Sequence, residues 1–282
     1  MFSKYPSNLH THTNLSDGSH FFEDYLMPAI KSGLKSYAFT DHAPIPKIEC
    51  HWCMDANKLA FYKQEIEFLK SKYKNQIEVL SGLEIDYIPG IITPLDYKKH
   101  EFDILIGSIH YLKLPDNNYL MKLDSKLEHF KEGLEYLFKN DYRKAIDYFF
   151  KITAEMINIG GFDIAGHVDK VKMYIGLLFP KALHTDWYLE HEYNTARLLV
   201  ESGVFVEINT RGIYKGLSDA PYPSWNMIKQ ISDMGGKLIL NADTHDPQGV
   251  IGFYNEVLNT LKSKKIPFIF TRQNRQWIKY YL

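Results

Sequence analysis

The chain has 282 residues, 45% hydrophobic and 15% aromatic, which is enough apolar material for a large core and excludes a disordered polymer. Lys and Arg total 33 against 34 Asp and Glu, and a formal charge of -1 excludes a global electrostatic grip on nucleic acid or on an anionic membrane. No apolar run reaches the roughly 18 residues that span a bilayer, and the polar start lacks the apolar stretch of a signal peptide, so the expectation is one cytoplasmic domain over 1–282.

In chain order, short β-rich runs predict strands over 7–9, 36–40, 78–83, 103–109, 162–165, 204–208 and 237–240, with an eighth candidate over 267–270. Helical periodicity fills the intervals at 22–32, 55–73, 142–159 and 187–202. The second of these opens on a cap at Asp55 and carries Leu59, Tyr62, Ile66 and Leu69 on one face; the last stops at Gly203. Strands separated by crossovers must run parallel, and a closed sheet of this kind gathers its active groups at the carboxyl ends of the strands. No repeat, low-complexity tract or linker divides the chain. The interval from His110 to Phe162, rich in Lys, Glu and aromatics, reads as an all-helical insertion.

Cys50-His51-Trp52-Cys53 is a C-x-x-C in a polar loop. A thioredoxin-like pair would open a helix directly after a strand, and a structural zinc site would need a second pair that the chain does not have. The expectation is two reduced loop thiols.

The strand ends carry the chemistry. After the first comes His10-Thr11-His12 and then Ser16-Asp17-Gly18; after the second, Thr40-Asp41-His42; the third runs into Gly82-Leu83-Glu84-Ile85-Asp86. The fourth ends at His110, the fifth at Gly166-His167-Val168-Asp169, the sixth in Glu207-Ile208-Asn209-Thr210-Arg211 and the seventh in Asp243-Thr244-His245. Each has an ordinary explanation: Asp17 is a turn residue, Glu84 a solvated terminus, Asp243 a helix cap. Those explanations must hold independently, whereas one metal cluster accounts for every position. Burying so many imidazoles and carboxylates without a cation would be costly. His10, His12, Asp17, His42, Glu84, His110, His167, Asp243 and His245 are therefore the candidate ligands. Nine donors exceed the needs of one ion and suit two or three, and the absence of thiolate favours zinc, manganese or iron.

The order H-x-H, S-D-G, T-D-H, G-L-E, S-I-H, G-H and D-x-H resembles the polymerase-and-histidinol-phosphatase (PHP) superfamily of metal-dependent phosphoesterases, over Asn8 to about Pro247. The longer runs 39–44, 82–87 and 166–172, with Glu207-Ile208-Asn209-Thr210 and Tyr222-Pro223, look like its histidinol-phosphate phosphatase branch. The resemblance implies an α/β fold, a distorted seven-stranded β/α barrel with the helical insertion between strands 4 and 5. It implies one ion on His10, His12, Glu84 and Asp243, a second on Glu84, His110 and His167, and a third on Asp17, His42 and His245. Glu84, Asp243 and His245 take catalytic roles, and a hydroxide bridging the first two ions attacks a phosphomonoester, with histidinol phosphate the expected substrate.

For the phosphate, Lys172, Arg211 and Lys215 are the nearest basic candidates. Asp41 is placed either to orient His42 or to serve a turn, and the loop 45–54, with Glu49, His51 and Trp52, should overhang the site. Two enzyme alternatives stay open: a PHP phosphoesterase acting on another phosphomonoester or a phosphodiester, and an amidohydrolase-type barrel, which also begins with H-x-H. The latter class uses a bridging Lys where this chain has Glu84. A metal-binding protein without activity is the third reading. The expected partner is a small molecule, with no nucleic acid and no membrane; oligomeric state is not legible.

Overall fold

The computed structural model describes residues 5–98 and 100–282. In chain order the elements are α1 (Phe22–Lys31), β1 (Ser36–Phe39), α2 (Leu59–Tyr73), β2 (Glu78–Asp86), α3 (Leu95–Lys98), β3 (Ile104–Ser108), β4 (Tyr111–Leu112) and β5 (Met121–Lys122). There follow α4 (Leu127–Phe138), α5 (Tyr142–Ile159), β6 (Ile164–Ala165), α6 (Lys172–Leu178), α7 (Asp186–Ser202), β7 (Phe205–Asn209), α8 (Arg211–Tyr214) and α9 (Trp225–Asp233). The chain closes with β8 (Lys237–Asn241), α10 (Tyr254–Ser263), β9 (Phe268–Gln273) and β10 (Gln276–Tyr281).

Local chemistry sets the helix limits. The Asp55 carboxylate accepts from Asn57 N at 2.9 Å and starts a short 3-10 turn that leads into α2. Asp141 accepts from Arg143 N and Lys144 N at the head of α5, and Thr185 caps α7. Gly203, in the left-handed region at φ 72, ends α7 as its sequence position indicates.

Eight strands form one sheet in the order β1-β2-β3-β6-β7-β8-β9-β10. All neighbours are parallel except β9 and β10, which make an antiparallel hairpin at the edge. The seven-strand expectation is corrected here: seven strands are parallel, but β9 is one of them and 7–9 is not. In 7–9 only isolated bridges remain, Asn8 to Tyr37 and, just beyond, Thr11 to Thr244. The cause is polar. Leu9 N donates to Asn241 Oδ1 and Asn8 Nδ2 donates to Thr244 Oγ1 and Val250 O, so side chains take the place of ladder partners. The sheet curls so that this first segment lies between β1 and β8.

The insertion between β3 and β6 is also corrected. It begins with the antiparallel pair β4–β5, which puts Tyr111 opposite Lys122, and only then becomes helical through α4 and α5. Inside the curl, Leu9, Ala38, Leu80, Ile104, Ile106, Ile164 and Ile239 form an apolar plug, with Phe205, Phe270 and Trp277 packed against it.

Candidate metal centre

Successive side chains on a strand point to opposite faces, so a plug residue and the residue two further on share the interior. Along β2, Leu80 belongs to the plug, and Gly82, Glu84 and Asp86 continue its face. Along β3, Ile106 is followed by Ser108 and, just past the strand, His110; along β8, Ile239 is followed by Asn241 and then Asp243. The interior therefore changes from apolar to ionisable within two residues on several strands at once. Gly166 is required at this level, because a Cβ there would lie 2.4 Å from Ser108 Oγ, and that hydroxyl donates to Glu84 Oε1 at 2.7 Å. His167 (φ 23) and Asp243 (φ 50) both leave their strands through positive φ, a strained conformation that turns their side chains into the common mouth.

Glu84, 1% exposed, is the centre of the cluster. Its Oε2 lies 3.3 Å from His10 Nε2, 3.4 Å from His12 Nε2 and 3.1 Å from His42 Nδ1. Its Oε1 lies 2.9 Å from His167 Nε2 and 3.6 Å from His110 Nε2. Asp243 Oδ1 stands 3.4 Å from His12 Nε2 and 3.4 Å from His245 Nδ1. Asp17 reaches His12, His42 and His245 at 3.5, 3.7 and 3.1 Å. All nine residues expected at the strand ends are thus brought together. Three groups are close enough for one ion each: His12, Asp17, His42 and His245; His10, His12 and Asp243; His42, Glu84 and His110.

The donor set fits divalent cations on its own chemistry. His10 Nε2, both ring nitrogens of His12 and His42 Nδ1 are buried and make no hydrogen bond with the protein. Orphaned buried nitrogens aimed at carboxylates are costly, and ligation by a cation satisfies both sets of groups. Burial works against ionisation of Glu84 and Asp243, yet the surrounding charges win. His10, His110 and His42 hold Glu84 well below the usual carboxylate range, and His10 with Arg211 does the same for Asp243.

A second layer fixes the rings. Glu207 Oε1 takes His10 Nδ1 at 2.6 Å and Asn241 Nδ2 at 3.0 Å, while its Oε2 takes His167 N at 3.1 Å and Asn209 Nδ2 at 3.0 Å. Asp86 Oδ1 binds both His110 N at 2.9 Å and His110 Nδ1 at 3.0 Å. Burial lowers the pKa of both rings, but the carboxylates outweigh it: His10 rises well above the usual range and His110 to about 10. His12, which has no such anchor, is pushed down to about 4 by burial and by His42.

The cleft above these groups, about 130 Å³, is lined by Asp17, His42, Glu84, His110, Asp243 and His245 together with Trp52, Asp124, Ser125, Lys170 and Arg211. Arg211, expected here, contacts the His245 ring and lies 3.6 Å from Asp243 Oδ1. Lys172 does not line the cleft: its Nζ is taken by Asp169 Oδ2 at 2.7 Å and Pro221 O at 2.6 Å. Lys215 is exposed on the surface and also lies outside it. Lys170, two positions earlier, is the lysine at the mouth, 3.3 Å from Asp124 Oδ2. Lys170, Asp124 and the anchoring roles of Asp86 and Glu207 were not singled out by the sequence. Of the two readings of Asp41, the turn is the one the contacts favour. Its Oδ1 accepts from Thr13 N, Thr13 Oγ1 and Ser16 Oγ, so it ties down the turn carrying Asp17 rather than orienting His42.

Loop 45–54 overhangs the cleft as expected, but its thiols are not reduced: Cys50 and Cys53 form a disulfide, their Cα atoms 5.4 Å apart. Trp52, inside this small ring, stacks on Tyr111 at 5.1 Å between centroids.

The PHP domain family matches residues 8–211. A Deinococcus radiodurans protein named "Probable histidinol-phosphatase" is 27% identical over 235 residues, covering 82% of both chains. The histidinol-phosphatase of Bacillus subtilis is 27% identical over 252 residues, covering 82% of this chain and 89% of its own. Among solved structures, the histidinol phosphate phosphatase of Lactococcus lactis, complexed with zinc, L-histidinol and phosphate, superposes with a TM-score of 0.65 at 18% identity, covering 98% of this chain and 99% of its own. With a family match across most of its length, the chain belongs to the PHP domain family.

Proposed function

We propose that this chain is a metal-dependent phosphomonoesterase that hydrolyses L-histidinol phosphate to L-histidinol and phosphate. The observation that carries the reading is the cage itself: unpartnered imidazole nitrogens facing two ionised carboxylates at the floor of a small cleft with a lysine and an arginine at its mouth. The donor set suits two to three divalent ions, zinc, manganese or iron, on His10, His12, Glu84 and Asp243, on Glu84, His110 and His167, and on Asp17, His42 and His245. Bound there, such ions polarise phosphoryl oxygens and activate water near neutral pH.

The protein's own groups do the rest. Glu207 and Asp86 hold the His10 and His110 rings so that one nitrogen of each faces the carboxylates. Lys170 and Arg211 supply positive charge to the non-bridging oxygens of a phosphate entering the cleft. Asp124 is solvent-accessible at the cleft; desolvation by the surrounding protein works against its charge, but Lys170 and the neighbouring imidazoles keep its carboxyl below the usual range. It is therefore an anion rather than a proton donor, and it suits the ammonium of the substrate. Trp52 forms a flat wall beside it. A small monoester matches the size of this cleft. Residues 1–282 act as one domain in this reading, because a single sheet runs from β1 to β10.

The test is phosphate release from a panel of monoesters, histidinol phosphate included, and from a phosphodiester, after loading with zinc, manganese or iron. The reading expects histidinol phosphate to give the highest kcat/KM. Preference for the diester, or equal rates across the monoesters, would contradict it.

A further inference from the structure

A second cavity, of about 590 Å³, is bounded by α6, α7, α9 and the segment 216–220, and it shares no lining residue with the cleft over the metal centre. Its walls include Leu177, Leu183, Leu217 and Trp225. Into these apolar surroundings α7 places two polar residues, Tyr188 and Glu192, one helical turn apart and only 1% and 2% exposed.

Tyr188 lacks a hydrogen-bond partner and Glu192 lacks a cation. Glu192 Oε2 accepts from Asn226 Nδ2 at 2.9 Å, but among the described residues no Lys, Arg or His nitrogen lies within ion-pair distance of the carboxylate. Lys172, the lysine lining the same cavity, is committed to Asp169 and Pro221 O. The Tyr188 hydroxyl is buried without a hydrogen-bond partner. Burial, together with Asp169 and Glu192, raises its pKa, so it remains a neutral phenol. A buried carboxylate without a cation is expensive, and apolar walls with a few convergent polar groups are the usual composition of a small-molecule site.

We propose that this cavity binds a small organic amine, its ammonium on Glu192 beside the Tyr188 hydroxyl and its aromatic or aliphatic body against Leu177, Leu183 and Trp225. The sign of the charge follows from the lining: Lys172 is neutralised by Asp169, Asp219 adds a second acid and His184 is exposed at the rim, which leaves Glu192 as the buried group without a cation. The site is separated from the metal centre by Tyr222, whose ring has Lys170 Nζ at 5.3 Å and Lys172 Nζ at 4.9 Å from its centre. The proposal does not depend on which phosphoester the chain hydrolyses.

Phenethylamine and its uncharged counterpart 2-phenylethanol are the probes, titrated calorimetrically into the full chain near neutral pH. The amine is expected to bind about tenfold or more tightly than the alcohol. Glu192→Gln, which keeps the shape of the side chain and a partner for Asn226, should remove that advantage and leave alcohol binding unchanged. Leu217→Trp, at the 49% exposed rim, should weaken both probes and serves if the Glu192 variant does not fold. Asp124→Asn reports binding to the other cleft and should leave the amine affinity as it is. Equal affinity for the two probes, no binding at millimolar concentration, or amine binding lost in Asp124→Asn and kept in Glu192→Gln would each overturn the proposal.

Discussion

The floor and the rim of the metal centre are built differently. On the floor, His10 and His110 are buried, each ring nitrogen that faces away from the centre is held by a carboxylate, and those carboxylates are themselves fixed by backbone and amide groups. At the rim, Asp17 sits on the 16–18 turn with its side chain 31% exposed, and the His245 ring meets Arg211 and the carboxylates of Asp17 and Asp243, which are themselves candidate ligands. The protein alone organises the floor, whereas an ion bound at the rim would have to complete its order. Affinity should therefore fall from floor to rim, and so should the damage done by substitution.

The largest effect is expected at Glu84, the group shared by the floor and both sides of the cluster. Glu84→Gln should lower kcat by roughly 10³-fold or more, since it removes several kcal/mol of charge stabilisation. A steady-state assay in excess metal checks this, and a loss under tenfold would break the comparison at its strongest point. Next comes Glu207→Gln, which leaves His10 in place but weakens its hold; metal affinity or activity should drop by about 10- to 100-fold. Titration with zinc distinguishes the two, because added metal should rescue Glu207→Gln and fail to rescue Glu84→Gln.

Substitution at the mouth should show in substrate binding. Lys170→Met and Arg211→Met each remove a charge-assisted contact to phosphate and should lower kcat/KM by roughly 10- to 100-fold, with metal content intact for Lys170→Met. Lys172→Met, by contrast, should affect stability more than kinetics, because its ammonium is committed to Asp169. If Lys172→Met proved the more damaging to kcat/KM, the placement of the two lysines would be wrong. At the rim, Asp17→Asn should cost the least activity, about tenfold, and should remove one metal equivalent while the floor stays loaded.

The smallest effect concerns Asp41. Burial pushes its carboxyl up to about 6 despite the hydrogen bonds from Thr13 and Ser16. A carboxyl whose pKa is raised on folding contributes stability below its unfolded value, and that contribution is lost as pH rises through the folded value. Relative to wild type, Asp41→Asn should therefore gain stability between about pH 4 and pH 7, by roughly 2–3 kcal/mol. Denaturant titrations of both proteins across that range check the sign, and parallel profiles would contradict it.

Much of the centre was legible in the sequence because the candidate ligands stand at or soon after the ends of β-rich runs, and a parallel sheet sends all such ends to one mouth. What supports the ligands was harder to read. Asp86 was quoted only as part of a motif, since its pairing with His110 depends on the register between β2 and β3. Lys170 and Lys172 are chemically alike and two residues apart, and only the turns after His167 decide that the first faces the cleft and the second Asp169. β10 was missed for a local reason. The two-residue turn Asn274-Arg275, with φ 51 and 60, carries Arg where Gly would have announced a hairpin. The expected first strand failed for the converse reason, since its ladder is replaced by Asn8 and Asn241 side chains. The Cys50–Cys53 bridge depends on a loop conformation that the spacing alone does not specify.

The central claim is that the buried imidazoles and carboxylates around Glu84 form a centre for several divalent ions. Elemental analysis of the chain, after equilibration with zinc or manganese and removal of free ion, tests it most directly. The account predicts between about two and three equivalents per chain in the wild type, with the floor ions lost in Glu84→Gln and only the rim ion lost in Asp17→Asn. Less than one equivalent in the wild type, or a Glu84→Gln protein that binds as much metal as the wild type, would contradict it.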